Sequence, residues 1–409
     1  MHKIEWENAH AHTCLSNITS CTGFPDSPAS IDEYAKEYKN RGMQCLCISE
    51  HGNRSDVWLQ ADMAAKYSDD TFKMKPICAA EVYFVPNRNP ELKDDRNFHL
   101  LLIAKNNEGF KDLNFALSLA NETGFYKRPR VDYELLSQMN YSNFICTTAC
   151  IGGIFKDEEG ERYANQLHEI FKENFRLEIQ SHMMQDQIIH NQKILCLYKK
   201  YNWPLFYATD SHYILPNQEI IRKELQLARK IDMPDSGWKL YLPTYEEAYE
   251  NLKAQNVFST AQIEEAFENT LELREFEGFS YTTERKLPIS KPRQGMTVEE
   301  RKLLYQKMVC KGYRQKEGEP SDEEKKALRE EMNEILDTDS EDYFISLKDM
   351  MDEGVKRGGI LTTTARGSAG SFASNYALGF TTINRLKAPV RMYPERFISK
   401  DKLLAGNPD

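Results

Sequence analysis

Short apolar runs alternating with helix-length stretches constrain this chain more than any other feature of its sequence. Six of them are Cys45 to Ser49, Lys75 to Ala80, Leu100 to Ala104, Phe144 to Ala149, Phe175 to Ile179 and Leu205 to Thr209, and a first strand is expected to close at Asn8-Ala9-His10-Ala11-His12. Runs this short and this continuously apolar are typical of strands buried on both faces. The gaps carry helix signals. Ser30-Ile31-Asp32-Glu33 is a capping box whose helix should end near Gly42, and Asn107 to Asn121, Gly160 to Lys172 and Asp186 to Lys200 read as further helices. Such alternation predicts an α/β fold, a parallel sheet with crossover helices. About seven βα units in roughly 215 residues predict a closed or nearly closed barrel.

Barrels of this kind carry their functional groups at the C-terminal ends of the strands. Here the strand ends carry His10 and His12, Glu50-His51, Glu81, Cys150, Gln180 with His182, and Asp210-Ser211-His212. Residues two apart on a strand point the same way, so His10 and His12 can grip one ion. Any one of these residues alone reads equally well as a core thiol, a cap or a surface group. Recurring at strand end after strand end, they form a set of zinc-, manganese- or iron-binding side chains. His99 fits poorly, because it precedes its apolar run.

The 409 residues leave room for a second unit beside such a barrel, and no apolar run is long enough to cross a bilayer. The start, Met1 to Trp6, lacks a basic region followed by an apolar one, so a cytoplasmic protein without membrane contact is expected. The net charge of -10 argues against coating nucleic acid by bulk electrostatics, so any such contact must be local. There is no C-x-x-C pair, and Cys45, Cys47, Cys78, Cys146 and Cys196 read as reduced core thiols in strand-like runs.

The set His10-x-His12, Glu50-His51, Glu81, His99, Cys150 and Asp210-x-His212 resembles the metal-ligand set of the polymerase and histidinol phosphatase (PHP) domain, a distorted (β/α)7 barrel. The segments Gly124 to Asp132, Leu177 to His182 and Ala208 to Tyr213 look more narrowly like the PHP domain of bacterial and phage C-family replicative DNA polymerases, the DNA polymerase III alpha subunits. The chain departs from that pattern at Glu50, where the family usually has Asp. The resemblance implies zinc or manganese ions held by these nine residues, and removal of misincorporated nucleotides by a 3′-to-5′ exonuclease. Ions held close together activate a water and stabilise the oxygens of a phosphoester. In the Lys-Arg-Pro-Arg run, Arg128 and Arg130 are candidates for a phosphate near the barrel mouth, or else plain solvated charges. Two other readings share the barrel: a stand-alone phosphatase acting on a small phosphate ester, and a non-catalytic scaffold within the replisome.

Beyond about Ser236 the chain turns polar and helical, and Leu287 to Pro292 reads as a linker, so the boundary is placed between residues 1–286 and 287–409. Three helices are expected after it, opened by Thr297-Val298-Glu299-Glu300, by Ser321-Asp322-Glu323-Glu324, and by Asp339 or Ser340. A strand at Ile360 to Thr364 should feed a Gly/Ser loop that opens a helix from Phe372, a geometry that offers backbone N-H groups to an anion. Arg366-Gly367-Ser368-Ala369-Gly370-Ser371 resembles the Gly-Ser motif in the nucleotidyltransferase-type palm of the same polymerases, which implies that Arg366, Gly367, Ser368, Gly370 and Ser371 bind the incoming nucleotide. By the same resemblance Asp409 is the first catalytic aspartate of polymerisation. Residues 287–409 are then the first part of an α+β palm, dependent on magnesium, primer-template, nucleoside triphosphates and other replisome subunits only in the complete enzyme, and the chain is not expected to polymerise DNA alone.

Overall fold

Continuous apolar runs do form the strands expected of them. β1 (Cys45–Ile48), β5 (Phe144–Thr147), β6 (Phe175–Ile179) and β7 (Leu205–Tyr207) are fully buried, and so, apart from a few positions, are β2 (Lys75–Phe84) and β3 (Phe98–Ala104). A two-residue β4, Arg130–Val131, completes the set. The structure, a computed structural model, describes residues 4–16, 27–54, 57–228, 238–282, 289–361, 367–390, 392–394 and 399–404. It divides into two units, Met1–Tyr281 and Thr282–Asp409.

In the first unit the seven strands form one curled sheet in the order β1-β2-β3-β5-β6-β7, with β4 beside β2. The sheet is not all parallel. β3 runs antiparallel to β2 and to β5, whereas β1 with β2, β5 with β6 and β6 with β7 are parallel as expected. Because β3 is reversed, its N-terminal end lies where its neighbours have their C-terminal ends. Tyr83 near the end of β2 is therefore opposite His99 near the start of β3.

The expected first strand, Asn8 to His12, has only one bridge, Ala11 with Ser211. Side chains take the place of its ladder. Ala11 N donates to Ser49 Oγ at 3.0 Å, and Asn8 Oδ1 accepts from Thr209 N at 3.3 Å. The segment nevertheless joins the two edges of the sheet, since Ser49 N donates to the Ala11 carbonyl and His12 N to that of Ser211. This places His10 and His12 between the C-terminal ends of β1 and β7.

The helices follow their caps. The helix Ile31–Arg41 has its capping box in Ser30 and Glu33 and ends at Gly42 with φ 77°, a left-handed conformation that glycine adopts without strain. The helices Gly160–Phe171 and Gln185–Tyr201 occupy the expected crossovers between parallel strands, and Asn107–Thr123 forms where expected but follows the reversed β3. Cys196 lies exposed on the last of these rather than in a strand, while Cys45, Cys47, Cys78, Cys146 and Cys150 are buried free thiols.

The second unit is helical among its described residues. Helices Val298–Glu317, Asp322–Leu336 and Glu341–Lys356 pack Tyr305, Val309, Leu328, Ile335 and Phe344 into one core with the short helix Ala373–Leu378. Gly312 permits the closest of these approaches, because a Cβ there would meet the Ala377 carbonyl oxygen at 2.1 Å. Of the expected strand at 360–364, residues 362–364 lie outside the described residues, and Ile360 and Leu361 are in no strand. No described helix in either unit is long and apolar enough to cross a membrane.

Candidate metal centre

At the C-terminal edge of the first unit's sheet, seven of the nine expected ligands converge on one another. Among the described residues they form three overlapping groups, His12 with His51 and His212, His10 with His12 and Asp210, and His51 with Glu81 and His99, whose ligand atoms lie within 4.8 Å of one another in each. His12 and His51 each belong to two groups, so the groups form a continuous row. Glu81 stands at its middle. Its Oε1 is 3.2 Å from His10 Nε2 and 2.9 Å from His99 Nδ1, and its Oε2 is 3.4 Å from His12 Nε2 and 2.7 Å from His51 Nδ1. Asp210 Oδ1 closes the other side, 3.4 Å from His10 Nε2 and 3.2 Å from His12 Nε2.

Two of the histidines are aimed by groups behind them. His10 Nδ1 lies 2.8 Å from Glu178 Oε1, which leaves Nε2 facing the cluster. His212 Nδ1 is 3.0 Å from the backbone carbonyl of Asp210. Asp210 itself holds φ 48°, and Ala149, just before Cys150, holds φ 53°. Both are left-handed conformations that cost a residue with a Cβ of order 1 kcal/mol or more and persist because the surroundings fix them. The rings of His12 and His51 stack at 4.3 Å, and those of His12 and His212 lie at 4.6 Å.

The remaining two residues take different places. Cys150 stays at the rim of the group, its Sγ 3.3 Å from His99 Nδ1 and 3.5 Å from Glu81 Oε1. Burial, together with Glu81 and Asp210, pushes its thiol pKa well up. Glu50 belongs to none of the three groups. It is fully buried and accepts from the backbone N-H of Thr13 at 3.2 Å and from the Thr13 hydroxyl. These contacts tie Glu50 to the turn that follows His12.

The electrostatics suit a cation. Burial pulls the His10 pKa down, but the carboxylates of Glu178, Glu81 and Asp210 outweigh it and hold that pKa well above the ordinary value. Burial raises the pKa of Glu81, but His99, His51 and His10 outweigh it and leave the carboxylate well below its usual range. His12 is held neutral, its pKa lowered to about 3 by burial and by the neighbouring His51. His10 Nε2, His12 Nε2 and Glu81 Oε2 are buried, and among the described residues they face one another, His51 and Asp210 at 2.7–3.4 Å as ion pairs rather than as well-aligned hydrogen bonds. Several imidazole nitrogens and carboxylate oxygens thus converge on one another in the interior, the arrangement a cation can share. The donor set of imidazole and carboxylate fits zinc or manganese.

Glu178 is the one site residue with no counterpart among the expected ligands. Its signal was a carboxylate in a strand otherwise buried and apolar, between Leu177 and Ile179. It accepts from His10 Nδ1, from Gln180 Nε2 at 2.8 Å and from the Thr147 hydroxyl. Arg130 proves structural. Fully buried, it donates to the carbonyls of Gly124 at 2.9 Å, Arg88 at 3.1 Å and Asp94, and is thereby withdrawn from any phosphate.

In the second unit, Gly367–Ser371 forms a turn of 3-10 helix, with Gly367 at φ 68°, and leads into the helix Ala373–Leu378. The first N-H groups of that helix are already taken: Ala373 N and Ser374 N donate to Glu331 at 3.1 and 2.8 Å. An anion at this loop is left with the backbone of Gly367 to Ser371. Arg366 and Asp409 lie outside the described residues, as does the side chain of Ser368.

Comparison with known proteins bears on both units. Residues 9–182 match the PHP domain, and residues 301–407 match the bacterial DNA polymerase III alpha NTPase domain. The chain is 28% identical over 437 residues to the DNA polymerase III subunit alpha of Aquifex aeolicus, an alignment covering 98% of this chain and 35% of that protein. For the same subunit of Borreliella burgdorferi the identity is 27%, covering 92% of this chain and 33% of the relative. For that of Helicobacter pylori strain J99 it is 26%, covering 96% and 34%. The chain thus spans about a third of the length of these relatives.

Proposed function

Since the chain belongs to the family of bacterial DNA polymerase III alpha subunits and carries their PHP domain, we propose that its first unit is a metal-dependent 3′-to-5′ exonuclease, which removes misincorporated nucleotides within a replicative DNA polymerase. The observation that carries this reading is the row of three ligand groups around Glu81, whose imidazole and carboxylate atoms converge within 4.8 Å of one another in each group. Three overlapping groups of ligand-type side chains are more than a pure scaffold requires.

His10, His12, His51, Glu81, His99, Asp210 and His212 would hold the ions, with Cys150 at their rim and Glu50 as the support of the His12 turn. Zinc or manganese held there supplies an activated water and positive charge against the phosphoester oxygens. The protein's own residues do the rest. Glu178 fixes the His10 ring so that Nε2 faces inward, and the Asp210 carbonyl does the same for His212. Burial of His10, His12 and Glu81 keeps bulk water from their inner atoms.

The second unit is proposed to be part of the palm. Arg366, Gly367, Ser368, Gly370 and Ser371 would meet the phosphates of a nucleoside triphosphate, and Asp409 would supply one carboxylate for magnesium during synthesis. DNA synthesis, its primer-template and its replisome partners are proposed for the whole cytoplasmic polymerase, of which these residues correspond to about a third. The test is degradation of a 3′-labelled oligonucleotide in zinc or manganese. Activity should disappear in the variant carrying both His10→Ala and His12→Ala, and a double variant that still shortens DNA would show that the site is misassigned.

A further inference from the structure

The Lys-Arg-Pro-Arg run next to the metal centre holds three cations in three different states. Lys127 pairs with Asp95 at 3.0 Å, and Arg130 is buried among backbone carbonyls. Arg128 is half-buried and has neither an ion pair nor a side-chain hydrogen bond among the described residues. What it has is a ring: its guanidinium lies 5.3 Å from the centroid of Tyr83.

That ring belongs to the wall of the metal centre. Tyr83 stacks on His51 with centroids 5.9 Å apart and planes 16° apart, and its edge meets His99 at 5.5 Å. The platform is tight on its other side. Gly52, at φ +59°, leaves so little space that a Cβ would sit 3.0 Å from Pro129 Cγ and 3.1 Å from Tyr83 Cε2. Pro129 follows Arg128 directly, so the same packing that seats Tyr83 against His51 also fixes the backbone from which Arg128 projects.

A partly desolvated guanidinium normally finds a carboxylate. This one lies on a ring whose neighbours His51 and His99 contact Glu81, in a chain of net charge -10, and among the described residues it pairs with no carboxylate. A nucleic-acid strand approaching such an acidic surface needs a local positive charge, and the planar fork of arginine matches a phosphate's two oxygens. We propose that Arg128 is the strand-positioning residue of this site, its guanidinium taking a backbone phosphate of the DNA next to the phosphoester at the metal centre. The proposal rests on the nuclease reading above and names how that site would recognise a strand rather than a small ester.

Binding of a short fluorescein-labelled oligothymidylate to the full chain in manganese, followed by anisotropy at rising potassium chloride, tests this. Arg128→Gln should weaken binding about tenfold and flatten the slope of log affinity against log salt by about 0.7, the share of one phosphate on a single strand. Arg128→Lys should restore the slope and only part of the affinity, because a point charge replaces the fork. Metal content should be the same in wild type and both variants. Unchanged affinity and slope in Arg128→Gln would overturn the proposal. So would loss of metal from that variant, which would make Arg128 a support for Tyr83 and His51. Hydrolysis is scored separately: a strand bound through Arg128 yet never shortened would contradict the nuclease and leave the phosphate contact standing.

Discussion

Replacing Glu178 by Gln should weaken metal binding about 10- to 100-fold without unfolding the first unit, the range seen when the group behind a metal-binding histidine is lost. The side chain accepts three hydrogen bonds, from His10 Nδ1, Gln180 Nε2 and the Thr147 hydroxyl. A glutamine of the same shape can keep all three contacts. Its carbonyl oxygen accepts from His10 and Gln180, and its amide donates to a Thr147 hydroxyl that has turned round. The stability change should therefore stay within about 1 kcal/mol. What glutamine removes is the charge behind the imidazole. Glu178 is the largest of the three carboxylates that outweigh burial at His10, so its loss makes Nε2 a poorer donor. The expected loss in metal binding corresponds to about 1.4 to 2.7 kcal/mol. Glu178→Leu provides the contrast. Three buried donors would lose their acceptor, at a cost of roughly 3 kcal/mol or more in stability. The assay is competition for zinc against a chromophoric chelator, alongside urea unfolding of the same samples. If Glu178→Gln binds zinc within about twofold of wild type while His10→Ala does not, the carboxylate is not acting through His10 and the reasoning fails.

Other perturbations have equally specific consequences. Arg130→Met should destabilise the first unit by about 3–5 kcal/mol, because it strands the carbonyls of Gly124, Arg88 and Asp94 in the interior, and urea unfolding would read it. In the second unit, Lys387, Tyr376 and Asn384 hold the Glu317 carboxyl at about 2, against an ordinary value of 4.5. A lowered carboxyl adds stability that is full above its unfolded value and is lost as pH falls through its folded one. Melting of that unit should thus weaken between pH 4.5 and about 2, and Glu317→Gln should flatten that part of the curve; an unchanged curve would refute it. Gly312→Ala should loosen the contact between helices Val298–Glu317 and Ala373–Leu378, since the Ala377 oxygen must move, and a lower melting temperature of the second unit is the expected readout.

Much of this was legible from local pattern. The apolar runs at Cys45, Phe144, Phe175 and Leu205 became strands because burial on both faces leaves no alternation to read, and the caps at Ser30, Thr297 and Ser321 fixed where helices begin. Pairing direction was not legible. A residue's place along a strand says nothing about which way that strand runs, so His99 looked misplaced until β3 turned out antiparallel, which brings its first residues to the metal edge. Glu50 illustrates a different limit. Its residue type suits a ligand, and nothing in the local pattern announces that its carboxylate also accepts from the Thr13 backbone and hydroxyl. Arg128 and Arg130 differ by two positions in the same basic run. One is fully buried and the other half-buried because Arg130 lies in β4, with Gly124 close enough that a Cβ there would meet the Arg130 carbonyl oxygen at 2.5 Å. In the Gly/Ser loop, the helix start that suggested an anion site is already filled by Glu331, which lies in another helix some forty residues earlier in the chain.

The most direct test of the central claim is the metal content of the purified chain, by mass spectrometry after dialysis against metal-free buffer and reloading with zinc or manganese. Wild type should retain roughly two or three ions per chain, as three overlapping ligand groups imply, and the variant carrying His10→Ala and His12→Ala should lose most of them. A wild-type chain that retains none, under conditions where it stays folded, would contradict the claim that these buried histidines and carboxylates are a metal centre.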